Sequence, residues 1–232
     1  MVALDNLALF GDRKVPRLNF TLGPLVAGIT LVAVALVMGA LLARGFSENG
    51  FRLGSQFAWR YTCLVFFAVL VVDPACRVAA RFFPSFRAPE SLGRRLIWGF
   101  CASYGVYLLS VFLPNVIRLS AGASLMVLFG GGVVLVMALA AAPLRGLGGA
   151  AVHLEKARRA MLVAATAYFW LCYSIMALAR ISGPHRPDAF YDISLSLMVV
   201  GLLVRYAGHW FSAWPLQPVE KVSNLRHPAV SN

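Results

Sequence analysis

Residues 18–43, 96–117, 119–144 and 160–179 carry no charged side chain. Each stretch is long enough to cross a bilayer, which takes about 20 residues at 1.5 Å rise per residue. Two shorter apolar windows, 61–72 and 193–204, are closed by Asp73 and Arg205. Both reach full length if one ionisable residue sits near the end of the span. The pattern predicts six helices, over 22–43, 57–77, 96–113, 121–142, 160–179 and 191–211. Breakers lie between them: FPSFRAPE (83–90), Pro114-Asn115, RGLGG (145–149) and SGPHRPD (182–188). The expected class is an all-α integral membrane protein, a six-transmembrane-helix bundle. A segment 1–21 precedes the domain at 22–212. A tail at 213–232, polar and proline-bearing, reads as extended or disordered.

Composition agrees. The chain is 60% hydrophobic and 13% charged, and a soluble domain could not shelter that much apolar surface. The net charge of +12 invites a nucleic-acid reading. The cations form no patch, however; they flank the apolar runs, as charges beside membrane spans do, and nucleic acid is not an expected partner. Segment 1–21 holds three Lys or Arg, the second loop five, the fourth loop four and the tail from Arg205 three, fifteen in all. The opposite side holds six: Arg44, Arg52, Arg60, Arg118, Arg180 and Arg186. The positive-inside rule then places both termini in the cytoplasm. The opening twenty residues lack the layout of a cleavable signal peptide, so the first helix reads as an uncleaved anchor.

Small residues mark candidate packing seams, where lipid gives no hydrophobic drive between helices. Ala35, Gly39 and Ala43 recur every four positions on the first helix, and Gly130, Gly131 and Gly132 sit midway along the fourth. The triple glycine leaves open a second use, room for a flat cofactor. The four cysteines, Cys63, Cys76, Cys101 and Cys172, lack CxxC spacing and read as small buried hydrophobes.

Residues able to carry chemistry are few. The histidines are His153, His185, His209 and His227, and none falls mid-span. His209 stands beside Trp210 at the inner end of the sixth helix, where an interfacial role is the plain reading. Asp73 and Arg205 fall at similar depth on the second and sixth helices, and burial would favour an ion pair between them. Arg77, one turn after Asp73, is a competing partner. In HLEKARR (153–159), Glu155 is spaced to pair with Arg158 and Arg159, so the fifth helix is expected to begin before the membrane, with cations for anionic lipid headgroups at the cytoplasmic face. No Walker motif or GxGxxG turn is present.

The run ENGFRLGSQFAWRYTCLVFFAVLVVDPACR (48–77) resembles the second-helix region of bacterial ferric reductase-like transmembrane domains. These are six-helix, haem-b membrane proteins. The resemblance extends over about residues 45–210. The family's next helix carries histidines where WGFCASYGVY (98–107) places Tyr104 and Tyr107, and Val163 stands where its fifth helix has another. The resemblance thus implies the family fold with its haem ligands replaced. Were haem b bound, Tyr104, Tyr107 and His209 would be the residues to contact it, since tyrosine ligates haem in some proteins. Otherwise the two phenols would hydrogen-bond across helices, to Ser103, Thr166, Ser174 or backbone carbonyls.

The expected function is a non-catalytic, ligand-depleted member of that family in the bacterial inner membrane, a structural or accessory subunit associated with another membrane protein or complex. A b-type haem electron-transfer protein with atypical ligands is the first alternative. A small transporter is the second; Asp73-Pro74 is its sole buried-charge signal.

Overall fold

A backbone in hydrocarbon must satisfy its own N–H and C=O groups, which for an unclosed chain means helices. The computed structural model describes residues 23–82, 92–118, 121–142, 151–183 and 188–213, and their regular elements are all helical. They are α1 (Pro24–Arg44), α2 (Glu48–Phe82), α3 (Leu92–Arg118), α4 (Ala121–Ala141), α5 (Ala151–Ile181) and α6 (Ala189–Ala213). Among the described residues five helices, all but α4, are long and apolar enough to cross a membrane. Within α4 the apolar stretch is Val127–Ala141. The chain is therefore a multi-pass membrane protein by length and composition. The N-terminal segment, the tail, and the loops FPSFRAPE and RGLGG fall outside the described residues.

Local chemistry sets the helix ends. Pro24 occupies the first turn of α1, where its missing N–H costs nothing. Gly45, at φ +74°, ends that helix in a conformation that an L side chain resists. Ser47 Oγ accepts from Gly50 N (3.3 Å) to start α2, with Glu48 in the first turn. Asp188 starts α6: its Oδ1 accepts from Phe190 N (3.2 Å) and its carbonyl from Tyr191 N (2.9 Å).

Three helices outrun their expected windows. α2 begins at Glu48 rather than Phe57, because Ser47 caps it and Arg60 is paired with Asp188. α5 begins at Ala151, and Glu155 holds both Arg158 (3.1 Å) and Arg159 (3.3 Å) as its spacing foretold. Arg158 also donates Nε–H to the Ala140 carbonyl (2.8 Å), closing the C-terminus of α4, where a cation is favoured. α3 corrects an expectation: Pro114 does not end the helix, which runs on to Arg118. Proline removes only its own donor, and helices of this kind absorb that loss.

Neighbour relations define the bundle. α2, α6, α5, α4 and α3 form a closed ring, and α1 lies in the outer groove between α2 and α3. Into the ring project Cys63, Phe66 and Leu70 of α2, Phe100 of α3, Met137 of α4, Phe169 and Tyr173 of α5, and Met198 of α6. Glycines bring backbones together at specific points. Gly54 meets Val37, Gly99 meets Ile29, Gly201 meets Phe67 and Leu70, and Gly208 meets Pro74.

The expected seam on α1 is wrong by one face. Ala35, Gly39 and Ala43 are exposed, and the buried stripe is Ala33, Val37, Ala40 and Leu41. α1 is apolar all round, so hydrophobic periodicity cannot choose its inner face. Cys63 and Cys101 are buried and all four thiols are free, consistent with packing roles.

Candidate functional site

Two regions of the bundle are candidates for a site: its aromatic centre and a pair of clefts at the end that carries Arg52 and Arg180. In the centre, the rings of Phe66, Phe100, Tyr104, Phe169 and Tyr173 touch one another. Phe100–Phe169 (4.9 Å between centroids) and Tyr104–Phe169 (5.0 Å) meet edge to face, and Phe66–Tyr173 (5.5 Å) stack. Such pairs contribute about 0.5–1.5 kcal/mol each beyond the area they bury.

Tyr104 and Tyr107, one turn apart on α3, also meet edge to face at 5.3 Å. A Cβ placed on Gly130 would lie 3.2 Å from the Tyr104 hydroxyl, so the space opened by that glycine is taken by the phenol. The expected cross-helix hydrogen bonds of these two tyrosines are not formed among the described residues. Ser103 and Thr166 instead donate within their own helices, to the carbonyls of Phe100 (3.0 Å) and Leu162 (2.6 Å), and Ser174 Oγ has no partner. Helical serine and threonine turn readily to a carbonyl three or four residues back, which removes them as partners. The cross-helix phenol bond belongs to Tyr173, which donates to Thr62 Oγ1 (2.9 Å) while Thr62 donates to the Trp59 carbonyl (2.9 Å). A second polar tie joins Trp170 Nε1 to the Met198 carbonyl (3.0 Å).

The three residues that haem would require do not come together. Tyr107 shares a cleft with Arg180 and Tyr191, at the start of α6. His209 lies eighteen residues further along that helix, about 27 Å away at 1.5 Å per residue, and its side chain is outside the described residues. Tyr104 and Tyr107 have their rings in mutual contact, with no slot between them for a porphyrin plane. Among the described residues no group of three His, Cys, Asp or Glu side chains is placed to hold a metal. Tyr104 and Tyr107 as arranged leave no room between their rings for a haem, and all four histidine side chains lie outside the described residues.

Asp73 and Arg205 are brought to one level, but Asp73 is exposed and Arg205 half-buried, so the burial expected to drive their pairing is not found. The contacts of Gly201 with Leu70 and of Gly208 with Pro74 make α2 and α6 parallel in this register. Asp73 also reaches α3: its Oδ1 would lie 3.4 Å from a Cβ on Gly93, in the first turn of that helix, where a carboxylate is favoured. The Arg77 side chain lies outside the described residues.

At the opposite end, Asp188 binds Arg60, and the Arg60 guanidinium lies over the rings of Phe190 (5.1 Å) and Tyr191 (6.0 Å). The Phe190 N–H and then the Arg60 charge hold the Asp188 carboxyl below its ordinary pKa. Beside this clamp is a cleft of about 120 Å³ lined by Ser55, Gln56, Trp59, Tyr107, Met176, Arg180 and Tyr191. Ser55 also lines a larger cleft, about 570 Å³, between the start of α2 and the end of α3. No sequence motif announced either cleft.

No protein-family model, curated protein or solved structure matches this chain.

Proposed function

We propose that this is a non-catalytic membrane protein of the bacterial inner membrane, built on a ferric reductase-like plan whose haem-bearing centre has been replaced by aromatic packing. It acts as a structural or accessory subunit of a membrane complex. In this reading α4 is the sixth span, both termini are cytoplasmic, and the Arg94, Arg95, Lys156 and Arg159 end faces anionic headgroups. The fifteen-to-six division of Lys and Arg supports the orientation.

The observation that carries the proposal is the closed set of rings at the bundle centre. Phe66, Phe100 and Phe169 have no exposed surface, and the Tyr104 hydroxyl fills the gap at Gly130. A scaffold of this kind needs no ligand pair. The test is an absorption spectrum of protein purified in mild detergent, oxidised and dithionite-reduced, followed by sizing of the native assembly. The expected result is a colourless protein that migrates with a larger complex. A Soret band with a reduced α-band would establish the electron-transfer alternative instead.

A further inference from the structure

We infer that the two clefts meeting at Ser55 form a binding site for an anionic amphiphile, a phosphate-bearing lipid headgroup with its apolar chains. The site lies at the end of the bundle opposite the Arg94–Arg95 cluster, so it is distinct from the headgroup contacts proposed for that end. It does not depend on whether the chain is an accessory subunit.

The larger cleft is lined by Phe46, Ser47, Glu48, Phe51, Arg52 and Ser55 on one side and by Ser110, Val111, Leu113 and Pro114 on the other. Its serines are spent. Ser47 donates to the Arg44 carbonyl (3.0 Å), Ser55 to the Arg52 carbonyl (2.9 Å) and Ser110 to the Tyr107 carbonyl (2.7 Å). Ser47 Oγ also takes the Gly50 N–H, so the first turn of α2 is capped rather than open to a ligand.

What remains is a set of donors. Arg52 and Arg180 have no carboxylate partner among the described residues, unlike Arg60, which has Asp188. Gln56 and Tyr107 contribute an amide and a phenol to the smaller cleft with no hydrogen bond among the described residues. Glu48 is the one acid in either lining, so the balance is cationic. Arg52 and Arg180 are both exposed at this end of the bundle, where an anionic headgroup can reach them.

The walls decide the rest of the ligand. Phe46 is 72% and Leu113 52% exposed, beside the half-buried Phe51 and Val111. A free oxyanion leaves those surfaces unused, whereas a lipid covers them with its first acyl carbons while its phosphate meets the guanidinium groups. The larger volume lies within the usual range of small-molecule sites, roughly 300–1,000 Å³.

The test is native mass spectrometry of the full chain in detergent, titrated with phosphatidylglycerol or phosphatidylcholine. The wild type is expected to retain one more phosphatidylglycerol than the double variant Arg52→Gln/Arg180→Gln. Affinity at that site should fall by about tenfold or more when both charges are removed. Arg44→Gln, on the same side but outside the clefts, should leave it intact. Leu113→Glu keeps both arginines, sits at an exposed position and places an anion in the wall, so it should abolish the same adduct even if the double variant is unstable. Equal retention of the two lipids, or an unchanged adduct in the double variant and in Leu113→Glu, would overturn the site. Glycerol phosphate, lacking chains, binding as tightly as the lipid would overturn the amphiphile.

Discussion

The tightest glycine contact between α2 and α6 gives a measurable prediction. In Gly208→Ala the new methyl group would stand 2.6 Å from Pro74 Cβ and 3.2 Å from Pro74 Cα. Ordinary contact begins at 3.4 Å, so the closest pair is short by about 0.8 Å. Proline cannot swing aside: its Cβ is tied into a ring and its Cα belongs to the backbone. The helices must separate locally, at about 1–3 kcal/mol for an overpacked site. Alanine's helix propensity returns up to about 1 kcal/mol, which must be measured separately. Gly28→Ala and Gly132→Ala supply that reference, because a Cβ at either position meets nothing within 4 Å. The assay is equilibrium unfolding in mixed micelles, followed by tryptophan fluorescence. Gly208→Ala should be less stable than both reference variants by about 1–3 kcal/mol. If it proves as stable as they are, α2 and α6 do not meet at Pro74 and the parallel register is wrong.

Three further outcomes are expected. Tyr173→Phe deletes the bond to Thr62 and should cost about 0.6 kcal/mol in the same assay, while Tyr104→Phe, whose hydroxyl has no partner among the described residues, should be near neutral. Asp188 has a lowered carboxyl pKa, so its contribution is complete above the ordinary value near ~3.9 and fades as pH falls through the lower folded value. An acid titration of thermal stability should therefore be flatter for Asp188→Asn than for the wild type. The expected Asp73–Arg205 tie predicts that Asp73→Asn and Arg205→Gln each destabilise the protein and that the double variant loses less than their sum. Strict additivity would show that the two charges act separately.

Helix number and approximate position were legible because hydrocarbon leaves one solution for the backbone and charged residues punctuate it. The start of α5 was legible for a local reason: Glu155, Arg158 and Arg159 are neighbours in sequence as well as in space. Faces were harder. On α1 every side offers apolar residues, so the small-residue stripe at Ala35, Gly39 and Ala43 looked like a seam although it points outward. The phenols at 104 and 107 drew attention by their spacing, yet among the described residues neither makes the kind of cross-helix bond made by Tyr173. Its partner Thr62 lies 111 positions away, and no local pattern joins them. The clefts were invisible for the same reason, since α2, α3, α5 and α6 each supply only a few of their residues.

The carboxylate that begins the last helix is also the counter-charge of an arginine on the second, 128 positions earlier. A ribosome delivers these two groups far apart in time. Until Asp188 emerges, Arg60 lacks the carboxylate that it binds in the finished bundle, and α6 lacks the side chain that caps its first turn. Closure of the ring is thus a late event in biogenesis, and a nascent chain halted before residue 188 should remain open to proteolysis on the side where Arg60 lies.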